Sequence, residues 1–511
     1  MTAPLRNHPT LRTLLLCALY AFVLLFFLSP DSYLRDLYYR CDSAIFFMCG
    51  KAWMNGMVPY VDFADSKGPL LWLIYGLGYL LNHHSYVGVF WISILFYTAT
   101  LFIAYKLCRL FLEPRPSALC VALLPFVLFF FYWHFEVRAE DFCYPFVLFC
   151  LYTLCRVIKE EAIHRKTYIW LCIGMGISFM ACLLMKWNIA AMIGGPMLCV
   201  FILSFKQKVW LLCLVSMIAG AVVLALPFVI YFLAFADFGA MIDEYFVNTL
   251  LTMHGKTNIL DSLTFDRQMV IIEKLTFALL VGMLLFTWRY KRYFWLLLCF
   301  LIFRVGLGTA GVGWYYFAIL TPYALFFIIA AVSFFFSKFP RLEGYTNAWT
   351  ALAILLTIGG DILHVNAIFK DASVVRQEFY QAEYIMSQVE KPKIFWHTAY
   401  ESGLGISAGS LPACRYWTRQ NWATEEMDAA REEALRQRKP DFIPFFTKHP
   451  LEETDGHAKF TGLGYVPYIT MHHLSGDLNC TLYGRPGLKL PPPDFHVSQW
   501  DVWLKRNIFG I

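Results

Sequence analysis

The first polar stretch of the chain contains the side-chain types that acid–base chemistry requires, and it lies between apolar runs. Asp42, Asp62 and Asp65 lie close together in the sequence, with Lys51 and Lys67 among them. A carboxylate can accept a proton from a reacting hydroxyl, and an ammonium group can stabilise negative charge. Ionised groups beside a membrane are costly unless they are solvated or functional. The stretch is therefore a solvated loop or a site, and its many charges favour a site.

Two further polar groups interrupt the apolar runs. Between two of these runs lie Glu136, Arg138, Glu140 and Asp141. A short turn that reaches water needs fewer charged residues than these. Lys186 stands alone where two apolar segments meet. It is either a lysine whose charge reaches water at the membrane surface or a cation for a lipid phosphate.

A fourth group lies near the end of the apolar region. Arg304 is inside an apolar stretch, where an ionisable residue indicates a functional site. Trp314, Tyr315 and Tyr316 follow it, and such residues form an aromatic belt at a membrane surface more often than a site.

The composition indicates which kind of structure positions these residues. Apolar residues make up 59% of the 511 residues, charged residues 15%, and the mean hydropathy is +0.55. An average globular protein has about 25% charged residues, so this chain must lie in lipid. A soluble enzyme, a disordered chain and a secreted disulfide scaffold are excluded. The formal charge of +6 indicates membrane topology and not nucleic-acid binding, because no basic patch is interleaved with aromatic residues.

The apolar runs predict about eleven transmembrane helices. The first begins after Arg6 and Arg12 and lacks a cleavage site, so we expect an uncleaved helix with a cytoplasmic N-terminus. A run at 70–82 is too short to span and predicts an interfacial or re-entrant helix. The spanning runs are 13–28, 87–110, 117–134, 143–157, 168–185, 189–205, 209–235, 275–289, 294–311, 315–336 and 346–364.

Basic residues lie in alternate loops, as the positive-inside rule requires. This pattern places the loop at 29–86 and the C-terminal region outside the cytoplasm. The five basic clusters are Lys106/Arg109/Arg115, Lys159/Arg165/Lys166, Lys206/Lys208, Arg289/Lys291/Arg292 and Lys338/Arg341.

Charge density divides the chain into a transmembrane domain at 1–365 and an extracytoplasmic domain at 366–511. The second region carries 16 Lys/Arg and 17 Asp/Glu, and it is long enough for one domain. Its Cys414 and Cys480 could pair outside the cytoplasm. Its patterns predict an α/β domain: helices at 370–389 and 425–438, the latter capped by Thr424, strands at 393–397 and 441–446, and a hairpin of 465–472 and 479–483 that turns at 475–477.

The order of these features resembles the GT-C glycosyltransferases, in particular the branch with the aminoarabinose-to-lipid-A transferases and the protein O-mannosyltransferases. There a first membrane helix precedes an outer loop that opens with an acid and an amphipathic helix, which in this chain would begin at Asp42 and present Phe46, Phe47 and Trp53 to the membrane interface. That loop continues to a Gly-x-x-Pro-Tyr stretch and an acidic-Lys-Gly/Pro-Pro element. Here these read Asp42, Gly56–Tyr60 and Asp65–Pro69. Later elements resemble Arg138–Asp141, Lys186 and the Tyr-x-x-x-x-x-Pro element that begins at Tyr316.

The resemblance implies that a sugar moves from a polyprenyl-phosphate carrier to an acceptor hydroxyl at the outer face, with inversion of the anomeric centre. Asp42 would be the catalytic base, because the hydroxyl must lose its proton as it attacks. Residues that would bind the lipid phosphate or the donor are Lys67, Arg138, Lys186, Arg304 and Tyr316. Tyr60, Asp62 and Asp65 would complete the outer-loop part of the site.

A divalent metal, Mg²⁺ or Mn²⁺, could share the neutralisation of the phosphate, with Asp42, Glu140 and Asp141 as candidate ligands. Two departures bear on this hypothesis. Asp42 is followed by Ser43, where many relatives have Asp-Glu. The second acidic element is offset, so its matching residue is either Glu140 or Asp141.

The alternatives are a secondary transporter and a lipid-linked polysaccharide ligase or polymerase. A transporter usually shows two symmetric repeats and charges at the bilayer midplane, and neither is evident here. The expected partners are a polyprenyl-phosphate-linked sugar, membrane lipids and a lipid, glycan or protein acceptor, without nucleic acid. The expected location is the bacterial inner membrane, with the C-terminal domain in the periplasm.

Overall fold

The structure, a computed structural model, is mostly helical. It describes residues 9–29, 31–34, 42–130, 139–160, 163–248, 267–308, 314–368, 376–397, 403–419, 423–472 and 479–488, with 490, 498, 504, 505 and 508.

Each predicted apolar run forms a helix, because in lipid a helix satisfies its backbone polar groups internally. The helices up to residue 368 are α1 (Pro9–Leu28), α2 (Asp42–Met54), α3 (Pro69–Leu81), α4 (Val87–Cys108), α5 (Pro114–Phe130), α6 (Ala139–Lys159), α7 (Arg165–Met185), α8 (Trp187–Lys206), α9 (Trp210–Ala234), α10 (Phe238–Met241), α11 (Arg267–Arg289), α12 (Phe294–Gly308), α13 (Ala324–Lys338), α14 (Pro340–Glu343) and α15 (Thr346–Ile368). A π-helical turn covers Ile242–Asn248, and a 3₁₀ helix, Trp314–Tyr323, precedes α13.

Seven helices in the described part of the chain are long and apolar enough to cross a membrane. Three shorter apolar helices accompany them, among them α3 with 13 residues, the length expected for the run at 70–82. The remaining predicted spans are present as helices whose described apolar parts are shorter. The chain is therefore a polytopic α-helical membrane protein, as its sequence predicts.

The chain folds as two compact units, each made of segments that are distant in the sequence. The first, here called the helical unit, comprises Met1–Leu28, Ser93–Tyr231 and Leu250–His364. The second, the mixed unit, comprises Ser29–Ile92, Phe232–Thr249 and Val365–Ile511. The boundary predicted at 365/366 follows charge density, whereas these units follow the packing of the chain, and that boundary stays a prediction.

Small residues allow close helix packing in the helical unit. A Cβ atom added to Gly176 on α7 would lie 1.9 Å from the carbonyl oxygen of Met217 on α9. One added to Gly220 on α9 would lie 2.0 Å from the carbonyl oxygen of Ile173. A larger residue at either position would separate α7 and α9, because small residues let membrane helices approach closely.

The mixed unit contains a helix pair and a sheet. In the pair, a Cβ atom added to Gly50 on α2 would lie 2.4 Å from the backbone nitrogen of Gly76 on α3. Helix α2 begins at Asp42 as predicted, but its residues from Ser43 to Ala52 are all buried. It therefore lacks the half-exposed face of the amphipathic helix that the sequence predicts.

The C-terminal region forms the α/β arrangement that its sequence predicts. Strands β1 (Lys393–Ile394) and β3 (Phe442–Thr447) and the hairpin of β4 (Val466–His472) and β5 (Asn479–Gly484) lie close to the predicted positions. With β2 (Leu411–Pro412) they form a five-stranded sheet of the order β2-β1-β3-β5-β4. Strands β2, β1 and β3 are parallel, and β5 is antiparallel to β3 and β4. The elements are α16 (Arg376–Ser387), β1 (Lys393–Ile394), α17 (Leu404–Ser407), β2 (Leu411–Pro412), α18 (Glu425–Arg436), β3 (Phe442–Thr447), a 3₁₀ turn (Leu451–Glu453), α19 (Asp455–Gly462), β4 (Val466–His472) and β5 (Asn479–Gly484).

Local signals account for several details of this region. Thr424 caps α18, because its hydroxyl accepts a hydrogen bond from the backbone of Met427 at 3.3 Å. Cys414 and Cys480 are free thiols, with Cys480 buried in β5. The predicted hairpin turn at 475–477 lies outside the described residues.

Candidate active site

Asp42 and the side chain of Lys67 both lie at the N-terminal part of α2, although Lys67 comes from the loop before α3. Asp42 is half-buried in the first turn of the helix, where the helix dipole favours a carboxylate. Phe46 follows one turn later, and the ammonium nitrogen of Lys67 lies 5.5 Å from the centroid of its ring. The structure thus places a carboxylate in the first turn of α2 and a cation beside Phe46 in the next turn, and their roles in an acid–base site stay predictions.

Tyr60 holds the loop that carries Lys67. Its hydroxyl donates a hydrogen bond to the backbone carbonyl of Lys67 at 2.8 Å, and its ring centroid lies 4.5 Å from that of Trp72. Its φ of 65° is in the left-handed region, where a non-glycine residue is uncommon and indicates a constrained turn. Burial, with Tyr245 and Asp65 nearby, raises the pKa of Tyr60 well above its ordinary value. Tyr60 therefore acts here as a neutral hydrogen-bond donor that positions Lys67.

The other two aspartates of this loop differ in environment. Asp62 is exposed, and its carboxylate accepts a hydrogen bond from the backbone of Val58 at 2.7 Å, which caps a turn. Asp65 is only 3% exposed, and its Oδ2 has no hydrogen-bond partner among the described residues. A buried carboxylate oxygen without a partner is costly, so Asp65 is the aspartate of this pair that the fold alone does not explain.

The second acidic element begins α6 in the helical unit. Glu140 forms a salt bridge with Lys186, and both side chains are almost fully buried. Lys186 ends α7 and precedes α8, so the sharp corner between these helices positions its side chain. Asp141 accepts a hydrogen bond from the hydroxyl of Tyr97 at 3.0 Å. Each of the two adjacent acids therefore has its own partner.

Three predicted residues lie partly or wholly outside the described structure. Arg138 precedes α6 and lies outside the described residues. Arg304 lies on α12 and Tyr316 in the 3₁₀ helix before α13, but their side chains lie outside the described structure. Their roles in donor binding stay predictions.

The acidic residues do not form a recognisable metal site in the described part of the chain. There, no three side chains among His, Cys, Asp and Glu lie close enough to share a metal ion. Glu140 already carries a lysine as its counter-ion, and Asp141 a tyrosine hydroxyl. A divalent metal bound by Asp42, Glu140 or Asp141 stays a prediction.

Sequence reasoning missed a polar cluster in the mixed unit. Glu244, in the π-helical turn after α10, is 3% exposed and accepts hydrogen bonds from Arg415 at 2.6 Å and from the hydroxyl of Tyr416. Its two donors are 171 and 172 positions away in the sequence. The only local signal is an acid in an aromatic segment, which does not identify a partner.

Comparisons with known proteins identify the fold. Residues 66–235 match the family model described as dolichyl-phosphate-mannose-protein mannosyltransferase. The structure is similar to that of ArnT from Cupriavidus metallidurans bound to undecaprenyl phosphate, with a TM-score of 0.63 and 11% identity over 94% of this chain and 99% of that chain. It is also similar to the apo oligosaccharyltransferase of Archaeoglobus fulgidus, with a TM-score of 0.50 and 11% identity over 98% of this chain and 77% of that chain. No curated protein matches the sequence.

The structural similarity confirms the predicted fold class, and the family model over residues 66–235 agrees with the resemblance that the sequence motifs indicate. The matched segment includes α3 to α9 and the loop residue Lys67, so it covers part of each unit.

Proposed function

We propose that this chain is an integral-membrane glycosyltransferase that transfers a sugar from a polyprenyl-phosphate carrier to an acceptor hydroxyl at the outer membrane face. The arrangement of Asp42 and Lys67 at the first turns of α2, within a GT-C fold, is the observation that supports this proposal. In a transfer reaction, a carboxylate can accept the proton of the attacking hydroxyl, and a cation can stabilise the negative charge of the leaving phosphate.

The proposed reaction is a single inverting displacement. The acceptor oxygen attacks the anomeric carbon from the face opposite the phosphate, and the bond between that carbon and the phosphate oxygen breaks. Asp42 accepts the proton of the attacking hydroxyl as the new glycosidic bond forms. The electron pair of the broken bond leaves with the polyprenyl phosphate, whose charge Lys67 stabilises.

The neighbouring residues support these roles. Tyr60 fixes the backbone of Lys67 by its 2.8 Å hydrogen bond. Asp65 is two positions before Lys67, and its buried Oδ2 has no hydrogen-bond partner among the described residues, so it can accept a hydrogen bond from a sugar hydroxyl. A carrier embedded in the membrane also accounts for the absence of a nucleotide-binding fingerprint in the sequence.

Lys186 is a second candidate cation for the lipid phosphate, but its charge is balanced by Glu140. A phosphate that approached Lys186 would meet this carboxylate as well. We therefore expect Lys186→Ala to weaken the use of the donor less than Lys67→Ala does. The ratio of the two changes in donor KM measures this difference.

The test is donor turnover by the full-length protein in proteoliposomes. Polyprenyl-phosphate mannose and the total lipid-linked sugars of the host membrane serve as donors, and the release of polyprenyl phosphate is measured. We expect Asp42→Asn to lower the rate by about 10²–10⁴-fold, the range for a lost general base. Asp237→Asn is the matched control, because Asp237 is an exposed aspartate that caps α10.

Full activity of Asp42→Asn would show that Asp42 is not the base. Uptake of a solute without release of polyprenyl phosphate from any donor would show instead that the chain is a transporter.

A further inference from the structure

Lys51 is a buried lysine on α2, the helix that begins at Asp42. It is 1% exposed, and its ammonium nitrogen lies 3.3 Å from the carbonyl oxygen of Gly405 and 3.1 Å from that of Ile406. In the described part of the chain, no carboxylate forms a salt bridge with it. Two backbone carbonyls of the C-terminal region are therefore its polar partners.

Burial of this ammonium group is unfavourable in itself. Desolvation lowers the pKa of Lys51 from 10.5 to about 7. A methionine would occupy a similar volume without this desolvation cost. What lysine adds is directional hydrogen bonding to the two carbonyls.

The side chain of His84 also binds α17, the short helix that contains Gly405 and Ile406. Nδ1 of His84 lies 2.7 Å from the carbonyl oxygen of Ser407, which can only accept a hydrogen bond. Lys51 and His84 thus bind three consecutive carbonyls at the end of α17. The carbonyls of Gly405 and Ile406 also accept backbone hydrogen bonds, from Ser410 at 3.0 Å and from Gly409 at 3.3 Å. Cations and other donors are favoured at such an end.

Arg415, in the same C-terminal region, contacts the loop before α3. Its backbone carbonyl accepts a hydrogen bond from the backbone nitrogen of Ala64 at 2.9 Å, directly before Asp65. Its guanidinium group donates to Glu244 at 2.6 Å. The stretch from Leu404 to Tyr416 therefore contacts both α2 and the loop that leads to Lys67.

We propose that the stretch from Leu404 to Tyr416 is a clamp that positions the reacting groups, with Lys51 as the positioning residue that fixes α2 and its Asp42. The C-terminal domain would then be part of the catalytic apparatus. This inference rests on the proposed function, because it takes Asp42 and Lys67 as the reacting groups.

The physical reason is the sensitivity of transfer reactions to geometry. Helix α2 is a rigid element of 13 residues with Asp42 at one end and Lys51 in its last turn. Loss of the Lys51 contacts lets the helix shift or rotate. A misplacement of about 1 Å in a reacting group can lower the rate by about 10²-fold.

The test compares Lys51→Met, Lys51→Arg and the control Lys448→Met in the full-length protein. Lys448 is an exposed lysine of the same domain. Each rate is normalised to the folded fraction measured by size-exclusion chromatography. We expect Lys51→Met to lower kcat by about ten- to a hundredfold and to change the donor KM less than threefold. Lys51→Arg retains a donor for the carbonyls and should recover part of kcat.

Hydrogen exchange at residues 404–407 measures the docking without any activity assay. We expect faster exchange in Lys51→Met and unchanged exchange in Lys448→Met. An unchanged kcat in Lys51→Met would overturn the clamp, whether or not the exchange changes. If Lys51→Met does not fold, kcat is measured in Lys51→Arg and His84→Ala instead. A wild-type kcat in both of these variants would also overturn the clamp.

The two proposals fail in different ways. If the wild-type protein transfers no sugar from any donor, the proposed function fails, and the exchange data still report on the docking. If the wild-type protein is active and Lys51→Met equals it, only the clamp fails.

Discussion

Two lysines in the described part of the chain are almost fully buried, and the protein balances their charges differently. Lys186, in the helical unit, is 6% exposed and forms a salt bridge with Glu140. Lys51, in the mixed unit, is 1% exposed and donates to two carbonyls of the backbone. A carboxylate neutralises the whole charge of its lysine, whereas two carbonyl dipoles do so only partly.

The difference teaches that the two contacts respond to different changes. Removal of the carboxylate would leave Lys186 as an uncompensated buried charge, which is strongly destabilising. Lys51 has no carboxylate to lose, and its lowered pKa lets it release its proton near neutral pH. The first contact is thus sensitive to mutation of its partner, and the second is sensitive to pH.

The largest expected effect is that of Glu140→Gln. It should lower the free energy of unfolding by about 3–5 kcal/mol, because the charge of Lys186 stays buried without its partner. The double variant Glu140→Gln/Lys186→Met should recover most of this loss. Thermal unfolding in detergent measures both, with Glu432→Gln as the control, because Glu432 pairs with Lys459 at a partly exposed position. Equal stability of Glu140→Gln and the wild type would contradict the comparison.

A smaller effect is expected for the pH dependence of the Lys51 contact. Docked Lys51 has a pKa of about 7 against an ordinary value of 10.5, so the docked form binds fewer protons above pH 7. Docking should therefore strengthen as pH rises from about 7.5 to 9. The protection factor of the backbone amides at residues 404–407, which is the intrinsic exchange rate at each pH divided by the observed rate, should rise over this range in the wild type.

Lys51→Met should abolish this pH dependence, whereas Lys448→Met should retain it. The same variant should lower the stability of docking by about 1–3 kcal/mol, because it removes the two hydrogen bonds of Lys51, each worth about 0.5–1.5 kcal/mol. A pH slope that persists in Lys51→Met would assign the titration to another group.

The smallest effect is expected for His397, a half-buried base of the C-terminal region. Desolvation first, and then Lys459 and Arg431, lower its pKa from 6.5 to about 4. The folded domain therefore binds fewer protons than the unfolded chain, and its stability should fall as pH drops from about 6.5 to 4. The expected loss is on the order of 1 kcal/mol. The unfolding temperature of the C-terminal domain should show this loss in the wild type and not in His397→Phe, while the exposed His449→Phe should retain it.

Much of the fold could be predicted because it depends on local patterns. The apolar runs predict the helices, since a chain in lipid must satisfy its backbone polar groups within each helix. Alternating apolar residues and the turn signals predict strands β3, β4 and β5, and Thr424 predicts the start of α18. The all-round burial of α2 was not predictable, because it depends on neighbours that are distant in the sequence.

The candidate site, like the fold, has features that local sequence patterns predict and features that depend on the tertiary structure. The sequence by itself determined which residues could carry acid–base chemistry, namely Asp42, Lys67 and the acids that begin α6, because residue type and motif order are local properties. Only the tertiary structure decided their partners. Glu140 meets Lys186 across 46 positions, and Lys51 meets two carbonyls more than 350 positions away. Every residue has a carbonyl group, so no residue type indicates which carbonyls will hold a buried lysine.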